Sequence, residues 1–302
     1  MTFKIESIEN QSGRIAIVTG ANIGLGYETA LALSKTGMKV VMACRNMQKA
    51  EKAKEEILQK VPKADLEIIQ LNLSSLKSVR EFAETYISKY DHLDLLINNA
   101  GIMVPPFSKT EDGFESQIGV NYFAHFLLTN LLFPIIDKTP NSRIVQLSSI
   151  AHEKGVIEFD NLNSEKSYAK WPAYQQSKLA CLMFAIELQR RIDEAGSKVI
   201  SVAAHPGVSP TNLAQHMPKF LLFIGMPLFL LMSHKPAKGA LPTLRAALDE
   251  NVKGGEYYGP KGRMKGKPVK VDPKPHAFDK EVAKKLWTVS EELTGKPFSL
   301  KQ

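Results

Sequence analysis

The 302-residue chain carries a formal net charge of +8 and is 44% hydrophobic, which fits one large soluble α/β domain or two small ones. Its Lys and Arg are dispersed among Glu and Asp, so a solvated surface is expected and no nucleic-acid partner. The two cysteines, Cys44 and Cys181, lack C-x-x-C or metal-ligand spacing, which argues against a disulfide scaffold or a metal site.

Met1 to Gly13 is polar and lacks the apolar stretch of a signal peptide, so a cytoplasmic protein is expected. Arg14–Thr19 is short and rich in β-branched residues and reads as a buried strand. It breaks into Gly20-Ala-Asn-Ile-Gly24-Leu-Gly26 and then a helix, Tyr27–Lys35. Strand, glycine turn and helix in succession present free helix N–H groups to a phosphate. A side chain at Gly20, Gly24 or Gly26 would block the turn, the pyrophosphate or the packing of helix on strand.

Met38–Cys44 reads as a second strand, Gln48–Gln59 as a charged helix and Leu66–Leu71 as a third strand. A helix follows from about Leu76 to Tyr90, with Ser74 or Ser75 as its N-cap. Leu93–Ile97 is a fourth strand running into Asn98-Asn-Ala-Gly101. A long helix is expected from about Asp112 to Asp137, then a fifth strand, Arg143–Leu147, ending in Ser148-Ser149. Residues 150–172 look irregular. Tyr174–Ile192 has helical spacing of Leu179, Leu182, Met183 and Ile186, and Lys198–Ala203 is a sixth strand leading to His205-Pro-Gly207.

Thr211–Leu248 is an apolar, helix-rich excursion, giving a substrate-covering region over 211–250. Its core, Phe220–Met232, is too short to span a bilayer. It reads as a lid, as an oily patch able to touch a membrane surface weakly, or as an ordinary buried helix. Gly254–Pro260 and a helix near Lys280–Leu293 close the chain. Strands alternating with helices predict a doubly wound parallel sheet in a single domain spanning 1–302. Ligands of such sheets bind at the carboxyl ends of the strands.

The second strand ends in Cys44 and Arg45, where a dinucleotide site usually carries an acidic residue for the ribose hydroxyls. A carboxylate there would repel a 2′-phosphate, whereas a guanidinium pairs with it bidentately, so NADP(H) is expected. Tyr174-Gln-Gln-Ser-Lys178 puts a phenol and an ammonium one turn apart on one helix face. A nearby cation favours the phenolate, and such a phenol can protonate the alkoxide formed when hydride reaches a carbonyl. The Ser149 hydroxyl, at a strand end facing the same crevice, can hold the carbonyl oxygen. His152 and His205 lie beside the crevice, where a structural histidine is the commoner fate; His125 and His216 carry no signal.

These pieces, with Asn121, Pro206-Gly207 and Thr211, resemble the short-chain dehydrogenases/reductases over nearly the whole chain. Ala43-Cys-Arg45, Ser148-Ser-Ile-Ala-His152, Gly254–Pro260 and Leu286–Glu291 are similar to the branch of retinol dehydrogenases, WW-domain oxidoreductase and protochlorophyllide reductases. The resemblance implies a Rossmann fold and a catalytic tetrad of Asn121, Ser149, Tyr174 and Lys178. Asn121 would position a water in a proton relay to Lys178, and Ser148 would contact backbone. Cofactor contacts are implied at Gly20, Asn22, Ile23, Gly24, Leu25, Arg45, Asn72, Leu73, Asn99, Ala100, Gly101, Tyr174, Lys178, Pro206, Gly207 and Thr211. Asn72 stands where the family usually has an Asp, and an amide can bond adenine there as well.

The implied reaction is NADP(H)-dependent hydride transfer to or from the carbonyl or alcohol of an apolar molecule such as a ketone, aldehyde, retinoid or steroid. Reduction of a C=C bond, as in protochlorophyllide reductases, is a lesser alternative because Asn98–Gly101 is complete. A non-catalytic cofactor-binding scaffold is another, opposed by the filled tetrad. The anchoring segment that opens many retinol dehydrogenases is not seen in the sequence, which points to a soluble protein without a transmembrane segment. Family members often form dimers or tetramers through their two long helices, and an added apolar C-terminus can leave them monomeric, so the resemblance leaves a homodimer open.

Overall fold

The computed structural model describes residues 3–208 and 235–300. Ile15–Thr19 (β1), Lys39–Cys44 (β2), Leu66–Gln70 (β3), Leu95–Asn98 (β4), Arg143–Leu147 (β5) and Ile200–Ala204 (β6) form the parallel part of one sheet. Tyr257–Pro260 (β7) adds a parallel strand and Pro268–Lys270 (β8) an antiparallel edge, giving the order β3-β2-β1-β4-β5-β6-β7-β8. The chain reverses direction across the sheet between β1 and β4, which opens a crevice above their carboxyl ends.

Every residue of β1 and β4 is buried, as expected for strands covered on both faces. Side chains alternate between two cores. Ile15 and Ile17 meet Leu76–Lys89 (α3), Ser116–Lys138 (α4) and Lys170–Ala195 (α5), while Ala16 and Val18 meet Gly24–Lys35 (α1), Met47–Lys60 (α2) and Leu241–Leu248 (α6).

The doubly wound parallel sheet expected from the sequence is present, and β7 and β8 add to it a hairpin across Lys261–Lys267. Pro268 opens the edge strand β8, and Pro260 ends β7 beyond its pairing with β6, so at both a missing N–H is tolerated. Ser75 occupies the expected N-cap position of α3 but makes no side-chain cap bond, and Asp112 Oδ2 accepts from Leu76 N at 2.8 Å.

The long helix begins at Ser116 rather than Asp112, because the Glu115 carboxylate accepts from the N–H groups of Gln117 and Ile118. It is long and apolar enough to cross a membrane, yet 83% of its most apolar window is buried inside the protein. It contains a π-helical turn, Gly119–Phe123, and such turns frequently mark functional sites.

Lys280–Thr294 (α7) starts on the Asp279 side chain and stops at left-handed Gly295. Its buried stripe of Ala283, Leu286, Trp287 and Ser290 faces the two long helices. Trp287 packs against Phe126 and Phe184, and Phe298 against Phe126 and Phe133. The chain's own C-terminus therefore covers this aromatic face of α4 and α5.

Candidate active site

The glycine loop leaves β1 at Thr19. Gly20 and Gly24 take φ of +67° and +58°, the left-handed region that side chains disfavour. At Gly26 the limit is space, since a Cβ would lie 2.2 Å from the Gly20 carbonyl oxygen and 2.5 Å from Asn99 Nδ2. The N-cap residue of α1, Ile23, supplies no side-chain cap, and the first turn has no acidic residue. This leaves a cradle of backbone N–H groups that fits a dinucleotide pyrophosphate. Asn22 and Leu25 belong to the same turn.

Arg45 is exposed just beyond β2, and among the described residues its guanidinium has no ion-pair partner. Its neighbour Cys44 is buried against the backbone of Ala21 and Asn22, and burial pushes its thiol up to about 12, so it stays protonated. Asn72 is already engaged: its Oδ1 accepts from Ser74 N at 3.1 Å and its Nδ2 donates to Glu111 Oε1 at 3.1 Å. Leu73 beside it is buried.

Across the switch point, Asn99 Nδ2 donates to Thr19 O at 2.7 Å, tying the Asn99-Ala-Gly101 loop to the glycine loop. The loop then meets the tetrad residues. An ideal Cβ on Gly101 would lie 3.0 Å from Asn121 Oδ1 and 3.4 Å from Lys178 Nζ, so the amide and the ammonium converge on one backbone position. Asn121 Oδ1 accepts from Ile102 N at 2.8 Å, and its Nδ2 donates to Ile102 O and Ser177 Oγ, each at 3.0 Å.

Helix α5 starts at Lys170, four residues before the start expected at Tyr174, so the phenol lies inside the helix, buried and with Trp171 edge-on at 6.1 Å. Two bonds pin α5 to the end of β5. Lys178 Nζ donates to Leu147 O at 3.1 Å, and Ser148 Oγ donates to Lys178 O at 2.7 Å, the backbone contact expected of Ser148. The next residue, Ser149, accepts from Ala151 N at 3.2 Å and keeps its own hydroxyl proton to donate. Thus Asn121, Ser149, Tyr174 and Lys178 come from α4, the end of β5 and α5 to one end of the sheet.

Gly207 follows β6 with φ +72°, and a Cβ there would strike the Met264 carbonyl oxygen at 2.2 Å. Pro206 precedes it. Thr211, His216 and the apolar run Phe220–Met232 lie outside the described residues. His152 and His205 line an open cleft of about 610 Å³ with Ile150, Tyr257, Pro260 and Arg263. Both are buried and hydrogen-bonded: His152 Nδ1 donates to Ser149 O at 2.7 Å, and His205 Nδ1 accepts from Gly207 N at 3.2 Å.

No sequence signal singles out His125, yet it lies fully buried at the centre of the site. Its Nδ1 is 3.0 Å from Asn121 O and its Nε2 is 3.0 Å from Thr19 Oγ1. The one available clue is its place four residues after Asn121, one helical turn away.

Burial pushes His125 down to about 4 and His205 to about 3. Both rings are held neutral in the fold, whereas unfolded imidazoles protonate near pH 6.5. Their stabilisation is thus complete above pH 6.5 and is lost as pH falls toward 4, by about 1.4 kcal/mol per pH unit for each ring. Urea unfolding should give a free energy about 4 kcal/mol lower at pH 5 than at pH 7 from these two rings; equal values would contradict the neutral rings.

Residues 14–220 match the family model for short chain dehydrogenase. Retinol dehydrogenase 13 of Mus musculus is 43% identical over 291 residues, covering 94% of this chain and 84% of that protein. Retinol dehydrogenase 14 of Homo sapiens is 40% identical over 300 residues, covering 94% and 87%. A crystal structure of an uncharacterized protein from Mycobacterium paratuberculosis superposes with a TM-score of 0.83 at 39% identity, covering 99% of this chain and all of that one. A short chain dehydrogenase from Shigella flexneri, solved in complex with NADP, shares the fold with a TM-score of 0.63 at 21% identity, covering 84% and 99%. With the cradle, the crevice and these relatives in agreement, the chain belongs to the short chain dehydrogenase family of oxidoreductases acting on CH–OH and C=O groups.

Proposed function

We propose that the protein uses NADP(H) to interconvert the carbonyl and alcohol of an apolar small molecule, with a retinoid as the leading class. The observation that carries this reading is the convergence of Lys178 Nζ and Asn121 Oδ1 on Gly101, with the Tyr174 phenol one turn away on α5. Gly20, Asn22, Ile23, Gly24 and Leu25 would hold the pyrophosphate, with Asn72, Leu73, Asn99, Ala100 and Gly101 on the adenosine side. Pro206, Gly207 and Thr211 would line the nicotinamide end. The cofactor supplies or accepts the hydride.

The chain's residues handle the proton and the charge. Tyr174 gives its proton to the carbonyl oxygen as negative charge builds there, and recovers it in the reverse reaction. Ser149 directs its hydroxyl hydrogen at the same oxygen. Lys178 stabilises the phenolate by charge and binds the nicotinamide ribose. The Asn121 amide commits both its hydrogens to Ile102 and Ser177, but one Oδ1 lone pair remains, facing the region of Lys178, to hold a relay water.

An apolar substrate is supported by the composition of Phe220–Met232 and by relatives named retinol dehydrogenases. A reducing, cytoplasmic setting suits the two buried free thiols. The aromatic face of α4 and α5 lies beneath the chain's own C-terminus, which supports a protein that does not pair through its two long helices.

The test is a panel of carbonyls, all-trans-retinal included, followed at the NADPH absorbance. NADPH binding without turnover of any carbonyl would leave the scaffold reading instead. The choice of NADP(H) is tested by Arg45→Ala, which should weaken NADPH relative to NADH about tenfold or more through loss of a charge-assisted pair. An unchanged preference removes Arg45 from that role.

A further inference from the structure

We propose that His125 is a positioning residue that locks the Asn121 turn to the cofactor loop, and so sets where Lys178 stands against Gly101. The proposal rests on the reading of the site as a nicotinamide-dependent oxidoreductase centre. The hydrogen-bond directions follow from elementary chemistry. A carbonyl only accepts, so the His125 Nδ1–H donates to Asn121 O at 3.0 Å. A neutral ring then offers Nε2 as acceptor, and Thr19 donates its hydroxyl hydrogen to it at 3.0 Å. Thr19 Oγ1 in turn accepts from Asn99 N and Ala100 N, each at 2.9 Å. A second donor, Cys181 Sγ at 3.1 Å, reaches the same Asn121 carbonyl from α5.

The result is a buried relay running from the cofactor loop through β1 and His125 into the π-helical turn that carries Asn121. Asn121 stands over Gly101 beside the Lys178 ammonium, so a shift at His125 is transmitted to both. His125 meets no solvent, and its hydrogen bonds go to Asn121 and Thr19, which makes its effect one of placement. Lys178 is the charged group that acts on the ring, and its field adds to burial in keeping the ring neutral. The relay therefore holds one pattern of donors throughout the neutral range.

The experiment compares His125→Leu, which removes both bonds, with His125→Gln, which retains a donor and an acceptor. Each is measured for kcat, KM, NADPH dissociation constant, the pH profile of kcat/KM and thermal stability. His125→Leu should lower kcat roughly tenfold or more well below its melting temperature, since small misplacements of reacting groups are costly. It should also weaken NADPH binding and move the pH profile. His125→Gln should recover a clear part of kcat even where its thermal stability matches that of His125→Leu.

A folded His125→Leu protein with unchanged kcat, NADPH affinity and pH profile would overturn the proposal. So would activities that merely track thermal stability across the two variants. If His125→Leu fails to fold, Thr19→Val severs the relay at its other end and must show the same losses. A wild-type protein without carbonyl turnover would sink the oxidoreductase reading, while NADPH affinity would still report on the link from His125 to the cofactor loop.

Discussion

Tyr174→Phe is expected to lower kcat by roughly 10²- to 10⁴-fold, the usual contribution of a positioned general acid, with NADPH affinity nearly unchanged. The ring is buried and packed edge-on against Trp171, so deleting one oxygen leaves the aromatic contact in place. No hydrogen bond ties the hydroxyl to another group among the described residues, so the substitution orphans no buried partner. The loss should therefore fall on the chemical step and spare the melting temperature. Steady-state kinetics, an NADPH fluorescence titration and a thermal melt separate these effects. Activity that survives would take Tyr174 out of the reaction.

Gly26→Ala should abolish productive cofactor binding. The added methyl would lie 2.2 Å from the Gly20 carbonyl oxygen and 2.5 Å from Asn99 Nδ2, and neither is the free end of a flexible side chain. Gly20 is fixed by its left-handed backbone and by its N–H bond to Ala43 O at 2.8 Å, and Asn99 by its bond to Thr19 O. Relief requires α1 to move away from the sheet, which disturbs the N–H groups that would hold the pyrophosphate. Overpacking of this kind costs about 1–3 kcal/mol of stability, and NADPH affinity is expected to fall by roughly a hundredfold or more. A folded Gly26→Ala protein that binds NADPH as the wild type does would refute the assignment of this turn.

The first βαβ unit was legible in the sequence because its signals are local: β-branched residues, glycine punctuation and helical spacing each act within a few positions. Ser149, Tyr174 and Lys178 were legible for the same reason, as a strand end and a one-turn pair. Features set by distant partners were not. A local serine marks the start of α3, but the carboxylate that accepts from its first N–H comes from Asp112, remote in sequence. The hairpin of β7 and β8 has a weak sequence signal because prolines bound its short strands. His125 carries no local signal because only the folded chain brings Thr19 to its far nitrogen.

The most direct test of the central claim uses NADPH deuterated at both nicotinamide C4 positions, with all-trans-retinal as acceptor and mass spectrometry of the product. The account predicts retinol carrying the deuterium at its former carbonyl carbon, with Tyr174→Phe yielding almost none. Retinol without the label, or no reduction of any carbonyl by a protein that binds NADPH tightly, would contradict it.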